Sequence, residues 1–101
     1  MDFQKFIRDA LELAGDQSCT VKFIKENGKT RLISFRPNDH TGVKGCNVVY
    51  DRNQIRIRET KNAETGKGEW RSFVVGRIVS LEANGQEFHF NHETNTVHEV
   101  T

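Results

Sequence analysis

The 101 residues are enough for one compact domain and too few for two, because each half would bury too small a share of its apolar surface. Hydrophobic residues make up 35% and charged residues 29%, which predicts a small, aromatic core, and no apolar run approaches the length of a membrane-spanning helix. The formal net charge is +1, so the chain as a whole is neither strongly basic nor strongly acidic. We interpret residues 1–101 as a single domain.

Residues 1–14 predict an amphipathic helix. Apolar side chains recur at spacings of three and four, with charged side chains between them. Gly15 follows at a position where helices commonly end. Because most such apolar stripes face the protein's own core, we expect this helix to cover one open end of a sheet rather than to bind a partner.

From residue 19 the apolar period changes to two, which is typical of strands. Strands near 19–25 and 30–36 are expected to pair as a hairpin around Asn27-Gly28, because this dipeptide tolerates positive φ at both central turn positions. Pro37 then begins a loop in which we expect the chain to leave the sheet.

The second half of the chain predicts further short strands separated by turns. They lie at residues 47–50, 54–59, 70–75, 78–81 and 97–100, with a strand carrying inward Phe88 and Phe90 after an Asn84-Gly85 turn, and a mobile polar loop at 60–69. These elements indicate a mainly β (α+β) fold. Residues 19–100 are expected to form a small antiparallel sheet that closes into a barrel, because closure removes exposed sheet edges.

Residues 70–81, WRSFVVGRIVSL, resemble the signature of a WYL-like family of small Sm-like barrels found mainly in tailed bacteriophages. KENGK at 25–29, followed by Arg31, and FRPN at 35–38 are similar to two further segments of that family. The similarity covers roughly residues 20–82, although this chain inserts an extra strand and loop at 54–69, and its acidic end has no counterpart.

The resemblance implies an Sm-like or Src-homology-3-like barrel of phage origin. Broader WYL domains look like ligand-sensing or nucleic-acid-sensing modules in transcriptional and antiphage regulators. If this chain has the same role, the resemblance implies that Arg71 and Arg77, both within residues 70–81, contribute to ligand binding.

Charge is distributed unevenly along the chain. Residues 21–77 carry thirteen basic and six acidic side chains, a net +7, while residues 78–101 carry four glutamates and no lysine or arginine. This asymmetry favours an anionic partner for the central segment. The candidate residues for binding nucleic acid or phosphate are Lys22, Arg31, Arg56, Arg58, Trp70, Arg71 and Arg77.

Two interpretations of these candidates stay open. Arg56, Arg58 and Arg71 are expected to form a stripe that tracks phosphates, or else a solvated face paired with Glu59 and Glu69. Trp70 is either a platform for base stacking or a core residue. We favour the core for Trp70, because a barrel this small needs a large apolar side chain inside it.

The acidic end suggests a different kind of partner. Glu82, Glu87, Glu93 and Glu99 could mimic the charge of nucleic acid, so an alternative function is inhibition of a host enzyme or antiphage defence system by protein binding. A further alternative is an oligomeric barrel that sequesters a nucleotide. The leading hypothesis is a non-enzymatic phage accessory protein that binds nucleic acid or a phosphate-bearing ligand through a basic barrel face.

Catalytic and metal-binding motifs are weak. His89, His92 and His98 match no ligand spacing, and neither Cys19 nor Cys46 sits in a motif that would activate a thiol beside His40. We therefore expect no enzyme activity, no metal and no cofactor. With two cysteines and no export-type N-terminal segment, the sequence favours a reducing cytoplasm, that of a host bacterium if the protein is phage-encoded, and no membrane association.

Overall fold

The computed structural model describes residues 1–39, 45–59 and 68–100, which form a mainly β fold with antiparallel sheets and one N-terminal helix. The helix α1 spans Phe3–Ala14. The strands, in chain order, are β1 (Cys19–Ile24), β2 (Thr30–Phe35), β3 (Asn38–Asp39), β4 (Gly45–Cys46), β5 (Val48–Asp51), β6 (Gln54–Arg58), β7 (Trp70–Val74), β8 (Ile78–Ala83), β9 (Gln86–Asn91) and β10 (Thr96–Val100). The predicted fold class is confirmed at this level.

The helix is capped at both ends by its own sequence. The Asp2 side chain accepts a hydrogen bond from the backbone N–H of Lys5, and Gly15 ends the helix with a φ of 62°. Phe3 contacts Phe90 edge-to-face, with ring centroids 5.2 Å apart. The apolar stripe therefore covers a sheet, as its spacing predicts.

The strands form two main sheets. The larger has the order β10-β9-β8-β1-β2 and the smaller the order β5-β6-β7, and every pair is antiparallel. A short 3₁₀ helix, Val75–Arg77, leads from β7 of the smaller sheet into β8 of the larger. The chain therefore crosses between the two sheets within the block of residues 70–81.

The core lies where α1 and the inward faces of both sheets meet. Phe23 of β1 and Phe73 of β7 are buried and stack with ring centroids 5.0 Å apart and an interplanar angle of 18°. Ile55 and Ile57 of β6 are also buried, and they alternate with exposed neighbours along the strand. Side chains from the two sheets thus share one apolar core.

The prediction of a closed barrel is not confirmed. In the described part of the chain the strands form three separate sheets, because β2 ends the larger sheet and β7 ends the smaller one without pairing to each other. The loop after Pro37 also differs from the prediction, since β3 and β4 form a two-residue antiparallel ladder there. Most of the polar loop predicted at 60–69 lies outside the described residues.

The two Asn-Gly turns differ in conformation. Asn84 and Gly85 both have positive φ, 56° and 73°, as expected for a tight two-residue hairpin. In the first hairpin only Gly28 has positive φ, and its N–H donates to the carbonyl oxygen of Lys25. The predicted antiparallel hairpin is confirmed, but its turn contains one left-handed residue, because the connection between Ile24 and Thr30 is longer than two residues.

Burial of Cys19 predicts a pH-dependent stability. Burial, followed by the charge of Glu82, raises the pKa of the Cys19 thiol from 9.0 to about 11. The unfolded chain therefore releases this proton first, so the contribution to folding is complete below pH 9 and is lost as the pH rises towards 11. Between these pH values we expect the free energy of unfolding of the wild type to fall by up to about 2 kcal/mol more than that of Cys19→Val.

Urea unfolding of both proteins at a series of pH values would measure this difference. Other groups titrate in the same range in both proteins, so the comparison isolates the thiol. Parallel pH profiles for the wild type and Cys19→Val would contradict the prediction.

Candidate nucleic-acid interface

A groove of about 490 Å³ separates the β1–β2 hairpin from β7. The stacked pair Phe23 and Phe73 lies at its base. Its charged lining residues are Lys25, Glu26, Arg31, Arg71 and Arg77, and we call this feature the basic groove. The groove lies between the edge strands β2 and β7, at the place where the two sheets do not close into a barrel.

Strand alternation explains why Arg31 lines the basic groove. Arg31 pairs with Phe23 across the β1–β2 ladder, and directly paired residues present their side chains on the same face. Arg31 is therefore in phase with Ile33 and Phe35, both of which are buried. Near its turn, the β1–β2 hairpin extends beyond the apolar core. There the inward face of β2 borders the groove, whereas further along the strand it packs against apolar side chains.

Arg71 occupies the equivalent position on β7 and is held by two carboxylates. It pairs with Ile57 in the β6–β7 ladder, so it lies on the inward face with Phe73. Its guanidinium donates to Glu69 at 2.6 Å and to Glu59 at 3.4 Å. The Glu59 side chain is 14% exposed, which makes Arg71 the partner of a largely buried carboxylate.

The other cations of the basic groove have no such partner. Among the described residues, Lys25, Arg31 and Arg77 form no ion pair with a carboxylate, and Glu26 is the one acidic residue in the groove lining. Lys25 begins the turn after β1, and Arg77 ends the 3₁₀ helix after β7. Two separate elements therefore bring uncompensated positive charge to one groove.

Trp70 lies on the outer face of the smaller sheet, and the expectation that it packs in the core is wrong. The residue is 45% exposed. In the β6–β7 register Trp70 pairs with Arg58 and Ser72 pairs with Arg56, which puts all four on the outward face. The Arg56 guanidinium carbon lies 5.9 Å from the centroid of the Trp70 ring. We call the surface formed by Arg56, Arg58, Trp70 and Ser72 the Trp70 face.

The predicted binding residues are thus divided among three places. Arg31, Arg71 and Arg77 line the basic groove, while Arg56, Arg58 and Trp70 form the Trp70 face. The expected stripe of Arg56, Arg58 and Arg71 does not form, because antiparallel register puts Arg71 on the opposite face of the sheet. Lys22 pairs with Leu32 and Ser80 on the outer face of the larger sheet, outside the groove lining.

The sequence alone does not indicate Lys25 as a binding residue. It lies in the turn at 25–29, and its place in the groove depends on how the hairpin packs against β7. Nothing local in the sequence distinguishes Lys25 from Lys29, which is absent from the groove lining.

The four candidate glutamates do not form one surface. Glu82 and Glu87 are directly opposite each other on β8 and β9. Glu99 pairs with Phe88 on the other face of β10 and accepts a hydrogen bond from Gln86 at 2.6 Å. Glu93 follows β9 in the turn that leads to β10. The proposed mimicry of nucleic-acid charge would have to rely on the Glu82 and Glu87 pair.

The histidines are similarly dispersed. His89 and His98 are cross-strand partners, and His89 lies 3.5 Å from a carboxylate oxygen of Glu87, whereas the His92 ring bonds to the carbonyl oxygen of Ile78 at 2.6 Å. Within residues 1–39, 45–59 and 68–100, no group of three or more histidine, cysteine, aspartate or glutamate side chains is arranged to hold a metal ion.

Cys19 is a buried free cysteine. Burial raises the pKa of the Cys19 thiol to about 11, further above neutral pH, and a protonated thiol is a poor nucleophile. His40 and the side chain of Cys46 lie outside the described residues. In the described part of the chain, no helix has the length and apolar character required to cross a membrane.

Comparisons with known proteins identify no relative. No protein-family model matches the chain, no curated protein matches it, and no solved structure matches it. The resemblance of residues 70–81 to the WYL-like family remains a prediction from those residues.

The Arg71 cluster yields a test of which arginines are structural. Arg71→Ala leaves the Glu59 carboxylate largely buried without its partner, so we expect the free energy of unfolding to fall by about 1–3 kcal/mol. Arg58→Ala removes the same side chain from the exposed Trp70 face and should change stability by less than about 0.5 kcal/mol. Urea unfolding would measure both values, and equal losses would contradict the assignment.

Proposed function

We propose that the protein binds nucleic acid through the basic groove. The observation that carries the proposal is the convergence of Lys25, Arg31 and Arg77 on one groove with no carboxylate partner among the described residues. Like charges that share a concave surface repel one another, and a bound polyanion offsets that repulsion because it attracts each of the cations. Release of counterions from the polyanion adds to the affinity.

The dimensions of the basic groove limit what can enter it. Its volume of about 490 Å³ is in the range of pockets that enclose small ligands. A mononucleotide or a short stretch of one strand fits this volume, whereas a duplex would contact only the rim. The nucleotide-sequestering alternative uses the same cations and is separated from polymer binding by the competition experiment below.

The protein-inhibitor alternative has weaker support. It depends on a continuous acidic surface, and of the four glutamates only Glu82 and Glu87 are adjacent. By contrast, the cations of the basic groove come from different elements and meet at one feature. Charge alone therefore favours an anionic ligand over a basic protein partner.

The remaining parts of the proposal rest on the sequence. The residues WRSFVVGRIVSL at 70–81 are the reason to regard the protein as a phage accessory protein whose sheets are related to an Sm-like barrel and which acts in a bacterial cytoplasm. We place it among binding proteins rather than enzymes because no motif in the sequence activates a nucleophile and the Cys19 thiol is held protonated.

Charge-removing variants would test the proposal. We expect Arg31→Gln and Arg77→Gln each to weaken binding to a 20-nucleotide oligomer about tenfold, as lost charge-assisted contacts cost roughly 1.5 kcal/mol. Each should also reduce the slope of log K against log salt by about 1 in magnitude. Fluorescence anisotropy of the labelled oligomer over a salt series would measure both effects.

Lys22→Gln is the matched control, because it removes one charge but from the outer face of the larger sheet. It should leave affinity within about twofold of the wild type. Competition with excess ATP distinguishes a nucleotide site from a polymer site. ATP should displace the labelled oligomer from a site for single nucleotides but not from a site that requires a polymer. Failure to bind any oligomer at low salt, or an effect of Lys22→Gln equal to that of Arg31→Gln, would reject the proposed groove.

A further inference from the structure

Trp70 is the feature that the basic groove alone does not explain. It is the only tryptophan in the chain, and 45% of it is exposed on a strand whose inward face already contributes Phe73 to the core. A large aromatic side chain left half in solvent forgoes much of its own burial energy. Such a side chain on a basic surface is suited to a planar ligand group.

The Trp70 face and the basic groove are continuous along β7. Ser72 and Val74 line the groove, and Trp70 lies on the same side of the strand as both. At a rise of about 3.3 Å per residue, Trp70 and Val74 are roughly 13 Å apart along the strand. A short extended polymer can therefore contact Trp70 and enter the groove at the same time.

The cations beside Trp70 suit a base and its phosphates. Arg58 is directly opposite Trp70 in the ladder, and Arg56 lies over its ring at 5.9 Å. Neither arginine forms an ion pair with a carboxylate among the described residues. An arginine that is held near an aromatic ring can contact a neighbouring phosphate while the ring stacks on a base.

We infer that the ligand is a single strand, with one base stacked on Trp70 and the adjoining phosphates led along β7 into the basic groove. This inference rests on the proposed function and specifies its ligand. In a duplex the base faces are covered by neighbouring base pairs, so an exposed indole adds nothing to duplex binding. In a single strand every base offers a face, and the stacking tolerates any sequence.

Intrinsic tryptophan fluorescence, excited at a wavelength that tyrosine does not absorb, tests the stacking directly, because Trp70 is the only tryptophan in the chain. Titration with an unlabelled ten-nucleotide single strand should quench the emission. A duplex of the same length and inorganic polyphosphate, which has no bases, should leave it nearly unchanged at matched saturation. We expect the single strand to bind at least tenfold more tightly than the duplex.

Substitution of Trp70 supplies the second arm, measured by anisotropy of a labelled single strand. Loss of one base stack weakens binding about five-fold to a hundredfold, so Trp70→Leu should fall in that range and Trp70→Phe should recover part of the loss. Leu32→Ala removes another large exposed side chain, 64% exposed and on the other sheet, and should have no effect. Circular dichroism would establish that each variant is folded.

The outcomes separate this inference from the proposed function. Equal affinity for duplex and single strand, or loss of polyphosphate affinity in Trp70→Leu equal to the loss for the single strand, overturns the stacking role and leaves the groove proposal intact. If no polyanion binds at low salt, both the stacking inference and the groove proposal are rejected.

Discussion

The contact between Phe23 and Phe73 is the interaction on which the rest of this structure depends. The two rings belong to different sheets, are both buried and stack at 5.0 Å. An aromatic pair of this kind contributes roughly 0.5–1.5 kcal/mol beyond the area that it buries. Its larger consequence is positional, since it places the β1–β2 hairpin beside β7 and so creates the basic groove above it. A second contact joins α1 to the smaller sheet, since the Arg8 guanidinium carbon lies 4.5 Å from the centroid of the Tyr50 ring on β5.

The alternation of side chains along β2 and β7 then decides which arginines enter the basic groove. Arg31 and Arg71 are both in the inward phase, at the ends of strands that run beyond the apolar core. Arg71 is fixed by Glu59 and Glu69, whereas Arg31 has no such partner in the described chain. One inward arginine is therefore compensated within the protein and serves the fold. The other keeps its charge available, which is the physical difference between a structural cation and the ligand-binding cation that we propose.

Local features of the sequence predicted the local features of the fold. The helix and the hairpin at Asn84-Gly85 depend on periods and turn residues within a few positions of one another. The exposure of Trp70 depends instead on its phase relative to Phe73, whereas its size alone predicts an aromatic residue inside. Once Phe73 is assigned inward, alternation requires Arg71 inward and Trp70 outward. Barrel closure and the groove depend on contacts between sheets, which no period in the sequence encodes.

In the folded protein, the acidic end and the basic central segment of the chain contribute to different surfaces. Glu82 and Glu87 face each other across β8 and β9 on the outer face of the larger sheet, where like charges in direct register cost stability. Lys22 is on that face too, paired with Ser80, which lies two positions from Glu82. The polyanionic ligand that we propose would be repelled from this acidic face and attracted to the basic groove and the Trp70 face. The repulsive surface would thus contribute to orientation rather than affinity, because a summed field steers a charged ligand before any contact forms.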